Sequence, residues 1–277
     1  MSVRPVIVIA GIGNGTGTGA ATARVFSKQG YRVALIARNA DHLNKFTSEL
    51  KETGGEAAAF PVKDYSYGAV TSVVEGIRKY QWQTPEKAEI RVALWNAAFG
   101  AWKPFLDVTE QEVHDSVEAN FVAPFAFSRQ IILAFQENEL SELGKRGTLL
   151  FTGATASWRG NVSTSVFAAG KFAGRALSQS LSKEFGKQNI HVSGFLNSCI
   201  NSLTDIATIR KAIIDGGILT DRSLSRHSNP EDHKQFAENA DIRLDAESIA
   251  KSYLYLANQD RSAWTWELDL RPAHEKW

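Results

Sequence analysis

Between the apolar run 6–10 and a segment of helical period, the chain reads Gly11-Ile12-Gly13-Asn14-Gly15-Thr16-Gly17-Thr18-Gly19, with a glycine at every second position. The chemistry this stretch suits is holding phosphate. Glycines permit a tight turn and let the main chain approach a diphosphate, whose charge is stabilised by free N–H groups and the positive end of a helix dipole. Gly11, Asn14, Gly15, Thr16 and Gly17 are therefore candidate dinucleotide-binding residues, with a purely structural glycine turn as the competing reading.

After the apolar run 33–37 comes Arg38-Asn39, where a carboxylate would hold the ribose hydroxyls of an adenosine. A carboxylate repels a 2′-phosphate, whereas a guanidinium pairs with it through charge-assisted hydrogen bonds. The expected cofactor is thus NADP(H) rather than NAD(H), with Arg38 and Asn39 at its adenosine end; an arginine that simply ends a strand in solvent is the alternative. Asp64, after the run 57–62, is placed for the adenine amino group or as the cap of the following helix.

These residues need elements that bring strand ends together. Apolar, β-branched runs at 6–10, 33–37, 57–62, 92–95, 149–152, 192–196 and 264–270 read as strands. Helical stretches at 20–29, 43–53, 69–80, 111–135, 164–185 and 246–257 alternate with them. This order implies right-handed crossovers and an α/β fold: a doubly wound parallel sheet of about seven strands with helices on both faces, ligands binding at the carboxyl ends. The expectation is a single-domain Rossmann fold over residues 1–277. The charged segment 201–245, broken by Gly216-Gly217 and Asn229-Pro230 and carrying a helical piece at 203–214, reads as a lid over the ligand or as a surface excursion.

A chain of 277 residues with 43% hydrophobic content buries a large core, and its net charge of +1, without a basic run, excludes the usual signature of a nucleic-acid or acidic-membrane partner. A small-molecule substrate is expected instead. The lone Cys199 excludes a disulfide within the chain and suits a reducing compartment. The opening run is too short for a signal peptide, and no apolar stretch reaches the roughly 18 residues of a membrane span, so a cytoplasmic protein is expected. The six histidines lack metal-ligand spacing, and no metal is expected. The long helical stretches 111–135 and 164–185 suit a homo-oligomer, dimer or tetramer, as well as plain core packing.

The spacing of Gly11, Gly15 and Gly17, the run Trp95-Asn96-Ala97-Ala98, Asn120 in Glu118-Ala119-Asn120-Phe121, and Ile200 with Ser202 resemble landmarks of the short-chain dehydrogenase/reductase family across nearly the whole chain. The phrases Thr152-Gly153-Ala154-Thr155-Ala156-Ser157 and Glu267-Leu268-Asp269-Leu270-Arg271-Pro272 resemble a little-characterised branch of it. The resemblance implies that Asn96, Ala97, Ile200 and Ser202 lie along the cofactor, that Asn120 holds a water in a proton relay, and that Lys171 reaches the nicotinamide ribose. Two departures concern the chemistry. Phe167-Ala168-Ala169-Gly170-Lys171 stands in place of the family's Tyr-x-x-x-Lys, and Ala154 falls where the family has serine, leaving Thr155 as the nearest hydroxyl. Asn197-Ser198 also replaces a Pro-Gly pair.

Lys171, Asn120 and Thr155 are thus the candidate catalytic residues. The implied function is hydride transfer between nicotinamide and a carbonyl or alcohol of a small molecule, with an atypical proton donor. General acid catalysis contributes about 10²–10⁴-fold, whereas near-attack positioning contributes roughly 7–11 kcal/mol, so a reaction without the tyrosine stays feasible. An NADP(H)-binding pseudoenzyme, or a non-redox enzyme of secondary metabolism, are the alternatives. Phe99, Trp102 and Trp158 follow strand ends and either wall a pocket for a bulky apolar substrate or pack in the core; Lys103 and Arg159 either bind an anionic group or sit in solvent.

Overall fold

Strand β1 (Val3–Ala10) shows how this sequence builds its layers. Val6, Val8 and Ala10 enter one apolar cluster, while the alternate residues Ile7 and Ile9 enter another on the opposite face. A strand buried on both faces belongs inside a parallel sheet. The computed structural model, which describes residues 2–197, 218–225 and 229–274, has that sheet. With β2 (Arg32–Ala37), β3 (Ala57–Pro61), β4 (Lys87–Trp95), β5 (Gly147–Thr152), β6 (Ile190–Asn197) and β7 (Glu267–Leu270), it runs in the order β3-β2-β1-β4-β5-β6-β7. Every pairing is parallel.

One face is covered by α1 (Thr18–Lys28), α2 (Ala40–Glu52) and α8 (Ala246–Asn258), through residues such as Phe26, Phe46 and Tyr253. The other carries α3 (Tyr67–Lys79), α5 (Ala123–Gln136) and α6 (Ser165–Phe185), through Val74, Phe127 and Leu177. Strand order reverses at β1, whose last residue Ala10 pairs with Ile36 of β2 on one side and Trp95 of β4 on the other. A crevice opens beyond such a switch point, and ligands of open α/β sheets bind there.

The sequence pattern and the fold differ in three places. The helical stretch 111–135 is interrupted: α4 (Glu110–Val117) passes through a π-helical turn at Glu118–Val122 before α5 begins. Pro124 supplies the reason, since it has no N–H for the carbonyl of Asn120 four residues back and its ring crowds that carbonyl. The last strand is shorter than 264–270, because Thr265 is tied to Gln259 by side-chain bonds of 2.8 and 3.0 Å and Trp264 stacks on His191. Of the segment 201–245, residues 218–225 and 229–245 are described, with a single helical turn at Asp221–Leu224 and α7 (Pro230–Glu238). The helical piece at 203–214 lies outside the described residues.

His191, at the start of β6, is fully buried, its Nε2 lies 2.8 Å from the carbonyl of Thr265, and its ring stacks on Trp264. Because a carbonyl only accepts, Nε2 carries the proton, and burial pushes the imidazole down to about 4. Above pH 6.5 the ring is neutral in both folded and unfolded chains and its contribution is complete; as pH falls from 6.5 to 4 the unfolded chain takes up a proton that the folded one refuses. The expected loss is about 3 kcal/mol of unfolding free energy. Urea denaturation at pH 7 and pH 4 checks it: His191→Gln, which keeps an N–H for Thr265, flattens the pH slope, and equal slopes in both proteins contradict this account.

Candidate active site

The turn between β1 and α1 is left-handed at Gly11 (φ +93°), Gly13 (+62°) and Gly15 (+98°), backbone that L side chains avoid. Space is as tight as conformation. A Cβ on Gly11 would lie 2.6 Å from the backbone nitrogen of Ala97, and one on Gly19 would lie 2.1 Å from the carbonyl oxygen of Gly11. Gly17 begins α1 with no side-chain cap, and the first turn carries no acidic residue. Helix N-termini of this kind present amide donors suited to an anion. Arg24, further along α1, holds the turn from below by donating to the carbonyl of Gly15 (3.0 Å), its own position set by Glu49 and the face of Phe46.

Asn14 and Thr16 form the rim of this turn. The Asn14 side-chain oxygen accepts from the Thr16 hydroxyl (2.9 Å), and its Nδ2 donates to the carboxylate of Asp221 (2.9 Å). Asp221 arrives from the segment expected to be a lid, with the methyl of Thr220 against Gly17. That segment is anchored by Ile218, bridged to Leu244 just ahead of α8.

At the end of β2, the exposed Arg38 leans over the ring of Tyr65 (5.3 Å to the centroid) and has no ion-pair partner among the described residues. Asn39 caps α2 by accepting from the N–H of His42 (2.9 Å). Asp64 accepts from the N–H of Ser66 (3.0 Å) at the start of α3, and this bonding holds its carboxyl below the usual range. The cap of α3 is Ser66, which accepts from the N–H of Ala69, so Asp64 orders the turn ahead of the helix and is not its cap.

The opposite end of the crevice gathers Asn96, Thr152, Lys171 and Asn120. Asn96 donates from Nδ2 to the carbonyl of Gly11 (2.7 Å) and accepts from the hydroxyl of Thr152 (2.9 Å). Ala97 is the residue against which Gly11 is packed. Lys171, on α6, donates to the carbonyl of Thr152 (2.9 Å). Asn120 sits in the π-helical turn, exchanging bonds of 3.1 and 2.9 Å with the backbone of Phe99 and one of 3.0 Å with Ser116. Gly170 makes room for it, since a Cβ there would meet Nδ2 of Asn120 at 2.5 Å. Lys171, Asn120, Thr152, Ser157 and Arg175 line one cavity of about 30 Å³, room for a single water.

Other expected residues fall elsewhere. Phe167 and Ala154 are buried and form an apolar cluster with Ala156 and Ala168, covered by Trp102, whose ring lies 4.9 Å from that of Phe167. Thr155 is buried in the 3₁₀ turn Thr155–Ser157, its hydroxyl accepting from Arg271 (3.0 Å), and it does not line the cavity. Lys103 is paired with Glu112 at 2.7 Å. Trp158 is half exposed with the Arg175 guanidinium 3.6 Å above its ring, and Arg175 in turn grips Glu267 of β7 through two bonds, 2.8 and 3.0 Å. Ile200 and Ser202 lie outside the described residues. Sequence reasoning missed Arg24, Thr152 and Tyr253: an arginine on a helix and a tyrosine in a helical apolar stripe carry no local mark of a role at a distant turn.

A family model described as short chain dehydrogenase matches residues 5–212. Among curated proteins, the chain is 29% identical over 190 residues to the uncharacterized oxidoreductase YxnA of Bacillus subtilis, which is 68% of this chain and 49% of YxnA. It thus spans about half the length of that relative. It is 24% identical over 248 residues to the 7alpha-hydroxysteroid dehydrogenase of Escherichia coli, covering 89% of this chain and 85% of that one. An alcohol dehydrogenase of the archaeon Thermococcus sibiricus, solved in complex with 5-hydroxy-NADP, superposes with a TM-score of 0.72 at 19% identity over 99% of both chains. At that identity the likeness establishes the fold.

The turn's packing makes a measurable demand. Gly11→Ala meets both a left-handed backbone and the main chain of Ala97 and is expected to cost about 2–5 kcal/mol. Gly13→Ala, with nothing within 4 Å of its added methyl, is expected to cost only the backbone component of about 1–2 kcal/mol. Urea unfolding of the two variants compares them, and equal losses would show that contact with β4 does not constrain the turn.

Proposed function

The chain belongs to the short chain dehydrogenase family, and from that premise we propose that it is an NADP(H)-dependent oxidoreductase working on a carbonyl or alcohol of a small molecule. The observation that carries the cofactor choice is Arg38: an exposed guanidinium at the end of β2, oriented by Tyr65, with no carboxylate partner among the described residues. A 2′-phosphate supplies the missing partner. The NADP analogue held by the Thermococcus sibiricus structure supports the same choice. Bound in the glycine turn, the cofactor would supply or accept the hydride. The chain's own residues do the rest. Gly11, Asn14, Gly15, Thr16 and Gly17 receive the diphosphate, Arg38 and Asn39 the phosphorylated adenosine with Asp64 beside them, and Asn96, Ala97, Lys171, Ile200 and Ser202 the nicotinamide half.

The proton donor is then something other than a tyrosine. Phe167 offers no hydroxyl and is walled off with Ala154 under Trp102. The cavity lined by Lys171 and Asn120 has room for a water, which would carry the proton instead with the lysine beside it. Thr155, committed to Arg271, serves that role less well. Phe99, Trp102 and Trp158 make an aromatic rim suited to a bulky apolar substrate. We read residues 1–277 as one cytoplasmic domain with 201–245 as its lid. Val113, Val117, Phe121 and Phe125, four residues apart and each close to half exposed, support a homo-oligomer, dimer or tetramer, with a second copy of this chain on that stripe. A second reading, NADP(H) binding without turnover, is favoured by the closed apolar cluster at Phe167 and Ala154.

Titration with NADPH and NADH tests the cofactor reading. Arg38→Ala is expected to weaken NADPH binding by about 10- to 100-fold and leave NADH nearly unchanged; absence of affinity for both nucleotides in the unaltered protein would end the reading. NADPH oxidation across a panel of carbonyl compounds tests turnover. Activity that appears only in Phe167→Tyr with Ala154→Ser would favour the binding protein over the enzyme.

A further inference from the structure

Tyr253 is fully buried in α8, far along the chain from every residue assigned to the site. Its phenol oxygen lies 2.7 Å from the hydroxyl of Thr152. Thr152 has one hydroxyl proton and gives it to Asn96 Oδ1 at 2.9 Å, so in the contact with Tyr253 it is the acceptor and the tyrosine donates. With Oδ1 receiving that proton, the amide of Asn96 has one favourable orientation, which turns Nδ2 onto the carbonyl of Gly11 (2.7 Å). The reversed amide would set two oxygens against each other at Gly11 and two hydrogens against each other at Thr152. Donation therefore runs in one direction, from α8 through β5 and the end of β4 to the first residue of the glycine turn. The carbonyl of the same Thr152 receives the ammonium of Lys171 (2.9 Å). One residue thus ties the turn and the lysine to a common anchor, and Tyr253 orients that anchor.

We propose that Tyr253 is a positioning residue of the dinucleotide site, acting through Thr152 and Asn96 on the Gly11 carbonyl and, through the backbone of Thr152, on Lys171. The proposal rests on the NADP(H)-binding reading above. Its physical content is directional order: without the phenol, the Thr152 hydroxyl loses its donor, and the Asn96 amide loses the bias that keeps Gly11 aligned for phosphate. Tyr253→Phe keeps the ring that packs on α1 and removes only the donor.

NADPH dissociation constants, measured by fluorescence titration well below each variant's melting temperature, test this. Tyr253→Phe and Thr152→Val are each expected to weaken binding about 3- to 10-fold, the double variant to be no weaker than the worse single one, and Thr152→Ser to bind as the unaltered protein does. A residue that only stabilised the core would lower the melting temperature, leave the dissociation constant alone and give additive losses. If Tyr253→Phe does not fold, the contrast between Thr152→Val and Thr152→Ser decides. NADPH binding within twofold of the unaltered protein in Tyr253→Phe, or additive losses, overturns the proposal while leaving the NADP(H) reading in place. Failure of the unaltered protein to bind NADPH overturns both.

Discussion

The carbonyl of Gly11 is squeezed between the start of α1 and the residue that follows β4, and the site depends on that contact. A methyl group on either Gly11 or Gly19 would stand within 2.6 Å of main-chain atoms, so strand, turn and helix approach each other as bare backbone. Sheet order makes the contact possible: β1 lies between β2 and β4, and the chain leaves it at the one place where neighbouring connections depart in opposite directions. Everything expected to touch a dinucleotide is then a strand end away, Arg38 on one side and Asn96 on the other.

Much of this frame was legible because its signals are local. Strands buried on both faces appear as continuous apolar runs, and alternating glycines mark a turn between strand and helix, so the seven-stranded α/β fold and its first turn follow from short stretches of sequence. Longer-range relations left no such mark. Tyr253 and Thr152 are 101 residues apart, and nothing in the helical pattern of α8 separates a tyrosine that only packs from one whose hydroxyl matters. Thr155 was placed by counting back from Phe167, but a 3₁₀ turn rotates its hydroxyl toward Arg271. The π-helical turn at Asn120 leaves the apolar period of 111–135 unbroken, and Pro124 is its one mark in the sequence.

Electrostatics divide the crevice into unlike halves. The adenosine side presents the exposed guanidinium of Arg38, while the rim of the turn carries the carboxylate of Asp221 on Asn14. An anion entering the turn meets repulsion from Asp221 and attraction from the open amides of α1, and both charges are exposed enough for salt to weaken them. Asp221 follows the Ile218–Leu244 bridge that ties its segment to the beginning of α8. The same helix carries Tyr253.

The apolar patch at Phe167 and Ala154 is coherent as packing. Phe167 and Ala154 touch the same cluster, and Trp102 closes over them because Gly100 has no side chain: a Cβ there would lie 2.5 Å from the indole. A lone hydroxyl at either position would stand buried beside hydrocarbon, and without a partner it would cost about 1–3 kcal/mol. With Phe167 and Ala154 in place and a glycine admitting the indole, the four buried residues of the cluster are all apolar. The polar groups that remain nearby, Lys171, Asn120 and Ser157, line the small cavity, and the Lys171 ammonium also lies 5.7 Å from the centre of the Phe167 ring. Water has room in that cavity, whereas the aromatic patch is closed.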